Sequence, residues 1–430
     1  MDDTNYHSAI KAPVLLPLNK GLGDVQQPLP TAAVKDLRWN LLREDVSLPA
    51  AVLYEERLQH NLEWMQQFVS EYGVKLAPHG KTTMAPALFA RQIAGGAWGI
   101  TLATAHQSRV AYVHGVRRVI MANQLIGKQN MAIVSDLLTD PAFEYYCLVD
   151  SAQGVDLLGA FFKERHQTLH VLLELGVDGG RTGVRNAAQQ SAVLNAIAEW
   201  KGHIVLAGIE LYEGVLKEEA EIRAFLQRAV TCTKGLADAG QFAERAALRP
   251  VILTGAGSAW YDVVAEEFSR ADIGLPLDVI LRPGCYLTHD VGVYRASQEQ
   301  IQTRNPVAQK MRSSLLPALQ LWAYVQSVPE PGKAIIALGK RDAAFDAGLP
   351  QPAKQYRPGT QAPLATPTHW QLTGMMDQHA YMHIAEGDDI KVGDMIAFDI
   401  SHPCLTFDKW RQIAVVNPAF EVIDVVHTFF

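Results

Sequence analysis

The sequence predicts an α/β protein, a closed (β/α)8 TIM-type barrel followed by a mainly β C-terminal domain. Three observations predict it. From Val74 onward eight short apolar runs recur: "VKLAP", "WGITLAT", "RRVIMAN", "FEYYCLVD", "LHVLLELGV", "HIVLAGIEL", "PVILTGAG" and "LDVILRPG". Runs of this length bounded by turn residues read as buried strands. Amphipathic segments such as "AVLNAIAEW" and "EEAEIRAFLQRAVTCTKGLADAG" separate them and supply the helical crossovers that parallel strands need; eight repeats favour a closed barrel over an open doubly wound sheet. After about Arg295 the helical spacing gives way to β-type runs. The division that follows is an N-terminal segment at 1–73, partly packed on the β domain, a barrel at 74–295 and a C-terminal domain at 296–430.

The flanking elements are read in the same way. "PAAVLY" is a strand, and the helix after it carries Leu58, Leu62, Met65, Val69 and Tyr72 at helical spacing. Beyond a polar stretch containing "SQEQIQTRNP", the β-type runs are "LQLWAYVQSV", "GKAIIALG", "HWQLTG", "DMIAFDIS", "RQIAVV" and "FEVIDVVHTFF". Prolines and glycines make "AGLPQPAKQYRPGTQAPLATPTH" a loop. A chain of 430 residues can bury a large core. Its net charge of −7, with neither sign gathered into a run, disfavours nucleic acid and membrane surfaces as partners. The opening "MDDTNYHSAIKAP" lacks the basic-then-apolar order of a secretory signal. Cys147, Cys232, Cys285 and Cys404 are too scattered for a disulfide framework, so a reducing cytoplasm is expected. The uncharged "QIAGGAWGITLATAHQS" reads as a helix end plus a buried strand rather than a membrane span.

Barrel enzymes carry their chemistry on the loops after the C-terminal strand ends, and Lys81 in "PHGKTTM" follows the first proposed strand. "DGGRTG" with Arg181, "LYEG" with Tyr212, "TGAGS" and "RPGCY" follow strands five to eight. Small residues let backbone N–H groups approach an anion, so Gly255, Gly257, Ser258, Gly284 and Cys285 are candidates for a phosphate site. Taken singly, each of these loops is an ordinary tight turn; together they occupy the barrel's usual phosphate position. A reactive lysine facing a phosphate points to pyridoxal 5′-phosphate (PLP) held as a Schiff base. Arg181 then donates to the ring's phenolic oxygen or bridges salt at the rim, Tyr212 lines the site or packs as an aromatic, and His79 orients Lys81 or is a satisfied polar group. In "SHPCLTFDKW", side chains two apart in extended chain share a face, so His402 and Cys404 can hold one metal; imidazole and thiolate suit zinc.

In that order, "PHGKTTM", "DGGRTG", "LYEGV", "TGAGS", "RPGCY" and "SHPC" resemble the alanine-racemase-like (fold type III) PLP enzymes, and within them the D-serine dehydratase and D-threonine aldolase family. The resemblance implies a homodimer with its site at the subunit interface, Lys81 as the Schiff-base lysine, Arg181 near the ring oxygen, and Ser258, Gly284 and Cys285 around the phosphate. It places His402 and Cys404 on the metal pair; the aldolases pair the histidine with aspartate, which favours the dehydratase branch. The chain departs from the family at His106, where glutamate is common, at Gln378-His379, where relatives carry Glu-His, and at Cys285, where serine is frequent. The expected activity is PLP- and zinc-dependent dehydration of D-serine or a related β-hydroxy D-amino acid to a keto acid and ammonia. Two alternatives stand beside it, D-threonine-type aldol cleavage and a non-catalytic PLP-binding protein. Racemisation needs a base on each face of the substrate, and no second base is identified.

Overall fold

In the computed structural model, residues 13–430 are described; the acidic opening "MDDTNYHSAIKA" lies outside them. Strand β1 (Ala50–Tyr54) leads directly into helix α1 (Glu55–Glu71), whose first turn places Glu55 and Glu56 at the positive end of the helix dipole. All eight apolar runs then form strands: β2 (Lys75–Leu76), β3 (Ile100–Leu102), β4 (Arg118–Gln124), β5 (Glu144–Val149), β6 (Leu169–Leu175), β7 (Ile204–Leu211), β8 (Val251–Gly255) and β9 (Leu277–Leu281). They pair in parallel in the order β2-β9-β8-β7-β6-β5-β4-β3. The last seam is closed by the Trp98 N–H donating to Leu76 O at 2.7 Å and the Thr101 N–H to Pro78 O at 2.8 Å. The sheet is therefore a barrel. Its interior is filled from nearly every strand, with the small Ala77 and Ala207 making room for Tyr146, Leu148 and Leu172.

The C-terminal domain is an antiparallel sheet of β10 (Leu319–Glu330), β11 (Lys333–Ile336), β12 (Gln351–Tyr356), β13 (Leu364–Ala365), β14 (Gln371–Met375), β15 (Ala380–His383) and β16 (Met395–Asp399), in the order β13-β12-β16-β10-β11-β15-β14. Strand β1 joins this sheet, not the barrel. It lies antiparallel to β10 and parallel to β17 (Gln412–Val416), which pairs in turn with β18 (Val422–His427). All five β1 residues are buried.

Three sequence expectations are corrected. The polar stretch after Tyr294 is helical over Val293–Arg304 and Pro306–Met311. It escaped notice because the first helix buries only Gln298 and Ile301 and is anchored through polar bonds, Tyr261 Oη to Gln298 at 2.6 Å and Arg304 to Asp262 at 2.7 Å. The proline-rich loop contains β12 and β13; Pro352 is accommodated because it falls at a register shift in the pairing with β16. In α1 the buried face is Leu58, Asn61, Trp64, Met65, Phe68 and Val69, with Leu62 only half-buried and Tyr72 just past the helix. The segment Gln92–Ser108 is the end of the helix Pro86–Ala94 followed by β3, and among the described residues no helix is long and apolar enough to cross a membrane. All four cysteines are free thiols.

Helix α1 grips the linker between barrel and β domain. Arg57 donates to Pro317 O at 2.6 Å, Trp64 Nε1 to Ser313 O at 3.0 Å, and the buried Asn61 amide donates to Leu287 O and Leu316 O while accepting from the Leu316 N–H, each at 2.8 Å. Asn61→Ala deletes three bonds and strands buried backbone groups, so it is expected to cost about 2–3 kcal/mol in urea unfolding. An unchanged midpoint would mean that the linker is held elsewhere.

Candidate active site

Lys81 stands in the single turn Gly80–Thr82 directly after β2. It faces a cavity of about 360 Å³ at the C-terminal ends of the barrel strands, lined also by Asn123 near the end of β4, Arg181 and Thr182 after β6, Tyr212 after β7, Ala256–Ser258 after β8 and Arg282, Gly284 and Cys285 after β9. The β domain contributes Cys404. Removal from water is the largest influence on the Lys81 ammonium and lowers its pKa; the sulfurs of Cys404 and Cys285 oppose this, and the Arg181 and Arg282 guanidiniums reinforce it. His79 is driven far below the usual imidazole range, first by burial and then by Lys81. It is a neutral ring whose Nδ1 is buried without a partner.

Two groups of backbone amides meet the cavity, and they differ. The N–H groups of Gly284 and Cys285 both donate to Ser258 Oγ, at 3.1 and 3.0 Å, so these three predicted residues converge on one point. A Cβ at position 284 would stand 2.7 Å from His79 O and from Thr82 Oγ1, which is why this close approach needs glycine. The other amides, of Ala256 and Gly257, are taken by the buried Glu213 carboxylate at 3.0 and 2.7 Å. Gly257 therefore lines the cavity without a free donor. Gly255 lies outside the cavity: it is the last residue of β8, buried against Phe268, Val264 and Leu211. Arg181 lies over the Tyr212 ring, 4.9 Å from its centroid, so these two predicted residues act together.

The floor of the cavity holds a pair that sequence reasoning missed. Arg282 and Glu210 form a buried ion pair, Arg282 Nη2 also donates to Leu211 O at 2.9 Å, and burial pushes the Glu210 carboxyl up to about 7 against the pull of the arginine. Arg282 Nε and Glu210 Oε2 are buried with no partner. Unpartnered polar atoms at the base of a cavity, a desolvated lysine and an anion cradle are the chemistry that PLP requires, so the residues present fit it. The signal was a charge at the end of two otherwise apolar strands, "GIEL" and "VILRPG".

His402 and Cys404 do come together, but not in extended chain. Pro403 caps the short helical turn Cys404–Phe407, and that turn brings the thiol to the imidazole. The His402 Nδ1 is bonded to Asp346 at 2.8 Å, which leaves the other ring nitrogen for the cysteine side. The ring is raised to about 9 by the Cys404 sulfur and the Asp346 carboxylate. Cys404 is the acidic partner of a thiol pair: the Cys285 thiol donates toward it, and His402 and Thr82 add to the effect. This donor set suits a borderline-soft divalent ion, although among the described residues no three His, Cys, Asp or Glu side chains already converge as a finished metal site. His106 and His379 are exposed and outside the cavity lining. Asp346, Thr82 and Tyr294 are further groups that no motif marked.

A family profile described as "Alanine racemase, N-terminal domain" matches residues 54–267, and one described as "Putative serine dehydratase domain" matches residues 318–416. The D-threonine aldolase of an Arthrobacter species is 24% identical over 378 residues, covering 86% of this chain and 89% of the relative. The D-threo-3-hydroxyaspartate dehydratase of Delftia sp. strain HT23 is 28% identical over 241 residues, 54% of this chain and 62% of the relative. Its solved structure overlays with a TM-score of 0.68 at 21% identity, covering 91% of this chain and 99% of that one. The D-threonine aldolase from Filomicrobium marinum overlays with a TM-score of 0.71 at 21% identity, covering 89% and 95%. These overlays establish the shared fold. Solved variants of D-threo-3-hydroxyaspartate dehydratase include a histidine-to-alanine form and, two residues on, a cysteine-to-alanine form in the metal-free state.

Arg181 is one of the cations that hold the Lys81 ammonium down. Arg181→Gln is therefore expected to raise the Lys81 pKa and to move the midpoint of the pH dependence of PLP uptake, followed by absorbance, to higher pH. A midpoint that stays in place would exclude this coupling.

Proposed function

The chain belongs to the alanine-racemase-like PLP enzymes that carry a serine dehydratase-type C-terminal domain, and from that premise we propose a PLP- and zinc-dependent dehydratase acting on D-serine or a related β-hydroxy D-amino acid. The observation that carries this reading is that Cys404 of the β domain lines the Lys81 cavity of the barrel and interacts with His402 beside it. The relatives support a lyase: they are named as D-threonine aldolase and D-threo-3-hydroxyaspartate dehydratase. The His-x-Cys spacing is also that of the two residues varied in solved forms of D-threo-3-hydroxyaspartate dehydratase.

When bound, PLP takes up the electron pair left at the substrate Cα, and zinc on His402 and Cys404 makes a β-hydroxyl a better leaving group. The protein's own part is placement and proton handling. Lys81 Nζ, partly withdrawn from water and near Arg181 and Arg282, is shifted toward the neutral amine that would accept a Cα proton. Ser258 Oγ and the Gly284 and Cys285 amides, which here bond one another, would turn to a phosphate when it is bound. Arg181, which lies over Tyr212, would donate to the ring oxygen, and Arg282 with Glu210 would supply unpartnered polar atoms at the cavity floor. Asp346 fixes which His402 nitrogen faces the metal. Lys81 and Arg181 are exposed at the mouth, an opening that a second subunit of a homodimer would cover. Four free cysteines suit a reducing cytoplasm.

The aldolase is the second reading, favoured by the long match to the Arthrobacter enzyme. The products separate the two. Zinc-supplemented protein incubated with D-serine, D-threonine and D-threo-3-hydroxyaspartate is expected to release ammonia and a keto acid, to lose that activity in EDTA and to regain it with zinc. Glycine plus an aldehyde would replace the dehydratase with the aldolase, and no product from any substrate would leave a PLP-binding protein without turnover. Separately, Asp346→Asn is expected to weaken zinc binding about tenfold or more in a chelator competition while PLP absorbance is retained. Unchanged zinc affinity would remove Asp346 from the site.

A further inference from the structure

We propose that Cys285 and Cys404 are a reversible disulfide pair, an oxidative modification site that joins the barrel to the β domain at the wall of the cavity. The bond itself is independent of the dehydratase reading, and only its consequence for the site rests on it. The first observation is a distance. The two sulfurs stand 3.8 Å apart, although one comes from the loop after β9 and the other from the turn Cys404–Phe407, 119 residues later. A disulfide closes to about 2.05 Å, so bonding takes an approach of roughly 1.8 Å shared between two side chains.

The second observation is access. Both sulfurs line the Lys81 cavity, which gives a small oxidant a route to them. They are not equally reached: Cys404 is partly exposed, whereas Cys285 is buried behind it. Thr82 holds them on the same side, because its Oγ1 accepts from the Cys404 thiol at 3.4 Å and lies 3.9 Å from the Cys285 sulfur. The other cysteines lack this setting. Cys147 is enclosed in the barrel wall on β5, and Cys232, on the helix Glu219–Asp238, donates to Gln190 at 3.3 Å. The Cys285 thiol also has no other task in the site, since it is the backbone N–H of this residue that meets Ser258 Oγ.

The oxidant is hydrogen peroxide. Attack by the more accessible Cys404 sulfur breaks the O–O bond, leaves a sulfenic acid and releases water that carries the thiol proton. The Cys285 sulfur then attacks that of Cys404, the S–O bond breaks, and hydroxide departs with the Cys285 proton as a second water. Two thiols have lost two electrons and the peroxide has gained them. A small dithiol reverses the bond by exchange, so in a reducing compartment it is transient. While it lasts, Cys404 is withdrawn from a metal shared with His402, and the loop that carries the Gly284 and Cys285 amides is tied to the β domain. Oxidation therefore switches the site off.

The test treats PLP-loaded, EDTA-stripped wild type with a small excess of hydrogen peroxide, counts thiols after denaturation and maps peptides without reduction. Free thiols are expected to fall from four to two, with one peptide pair joining Cys285 to Cys404 at the loss of two hydrogens, no crosslink between chains on a non-reducing gel, and full recovery in dithiothreitol. In Cys285→Ser, dimedone is expected to trap the Cys404 sulfenic acid that has lost its partner. Wild-type Cys404 recovered as sulfinic acid beside a free Cys285 thiol would overturn the proposal, as would a bond through Cys147 or Cys232, and neither result depends on how the variant folds. Zinc added before the peroxide is expected to slow the bond. Equal rates with and without zinc would still support the pair, and would count instead against Cys404 as a zinc ligand.

Discussion

The placement of the active site depends on one constraint, that β1 and α1 are consecutive in the chain yet belong to different domains. Strand β1 is hydrogen-bonded into the C-terminal sheet between β10 and β17, and α1 starts at the very next residue and packs on the barrel. No linker separates them, so little rotation is left between the two bodies. The grip of Arg57, Asn61 and Trp64 on residues 313–317 removes the remaining slack. Only with that geometry fixed does the Cys404 turn lie over the Lys81 turn, with Thr82 within 3.4 Å of the Cys404 sulfur. A shift of an ångström in domain placement would separate the lysine from the histidine–cysteine pair, on the scale at which catalytic geometry is lost.

The second organising feature is the way charge is concentrated in a small, partly dry space. Arg282 and Glu210 are buried against each other at the floor, Lys81 and Arg181 stand above them, and the acidic Cys404 closes the far side. Desolvation raises Glu210 and lowers Lys81, so each is brought closer to neutrality at working pH. Breaking such a buried pair is costly because one charge stays behind. The unpartnered Arg282 Nε and Glu210 Oε2 mark this floor as a site built for a polar guest rather than for packing.

How far the sequence revealed all this differs from residue to residue. The eight strands were legible because buried parallel strands are continuous apolar runs, and Lys81, Ser258, Gly284 and Cys285 followed from their places after strand ends. The direction of a backbone amide is not written in a glycine loop. Gly257 was chosen for its small size, but Glu213 from the neighbouring loop claims its N–H, and Gly255 is the end of a strand. Arg282 and Glu210 are far apart in sequence and meet only because β7 and β9 flank β8 in the barrel. His402 and Cys404 were read as sharing a face in extended chain, whereas a short helical turn begins there after Pro403. The helix Val293–Arg304 was hidden because it is held by ionic and amide contacts instead of an apolar stripe.

The insertion of β1 also bears on how the protein is made. On the ribosome β1 is made well before both of its partners, β10 and β17. At roughly 10 residues per second, an entirely apolar strand waits about half a minute with both edges unpaired, which is the kind of segment that recruits chaperones or aggregates. The barrel strands are all made before either partner of β1, so β1 docks on β10 and then on β17 only after the barrel sequence is complete. The Cys404 side of the cavity is therefore completed after the Lys81 side.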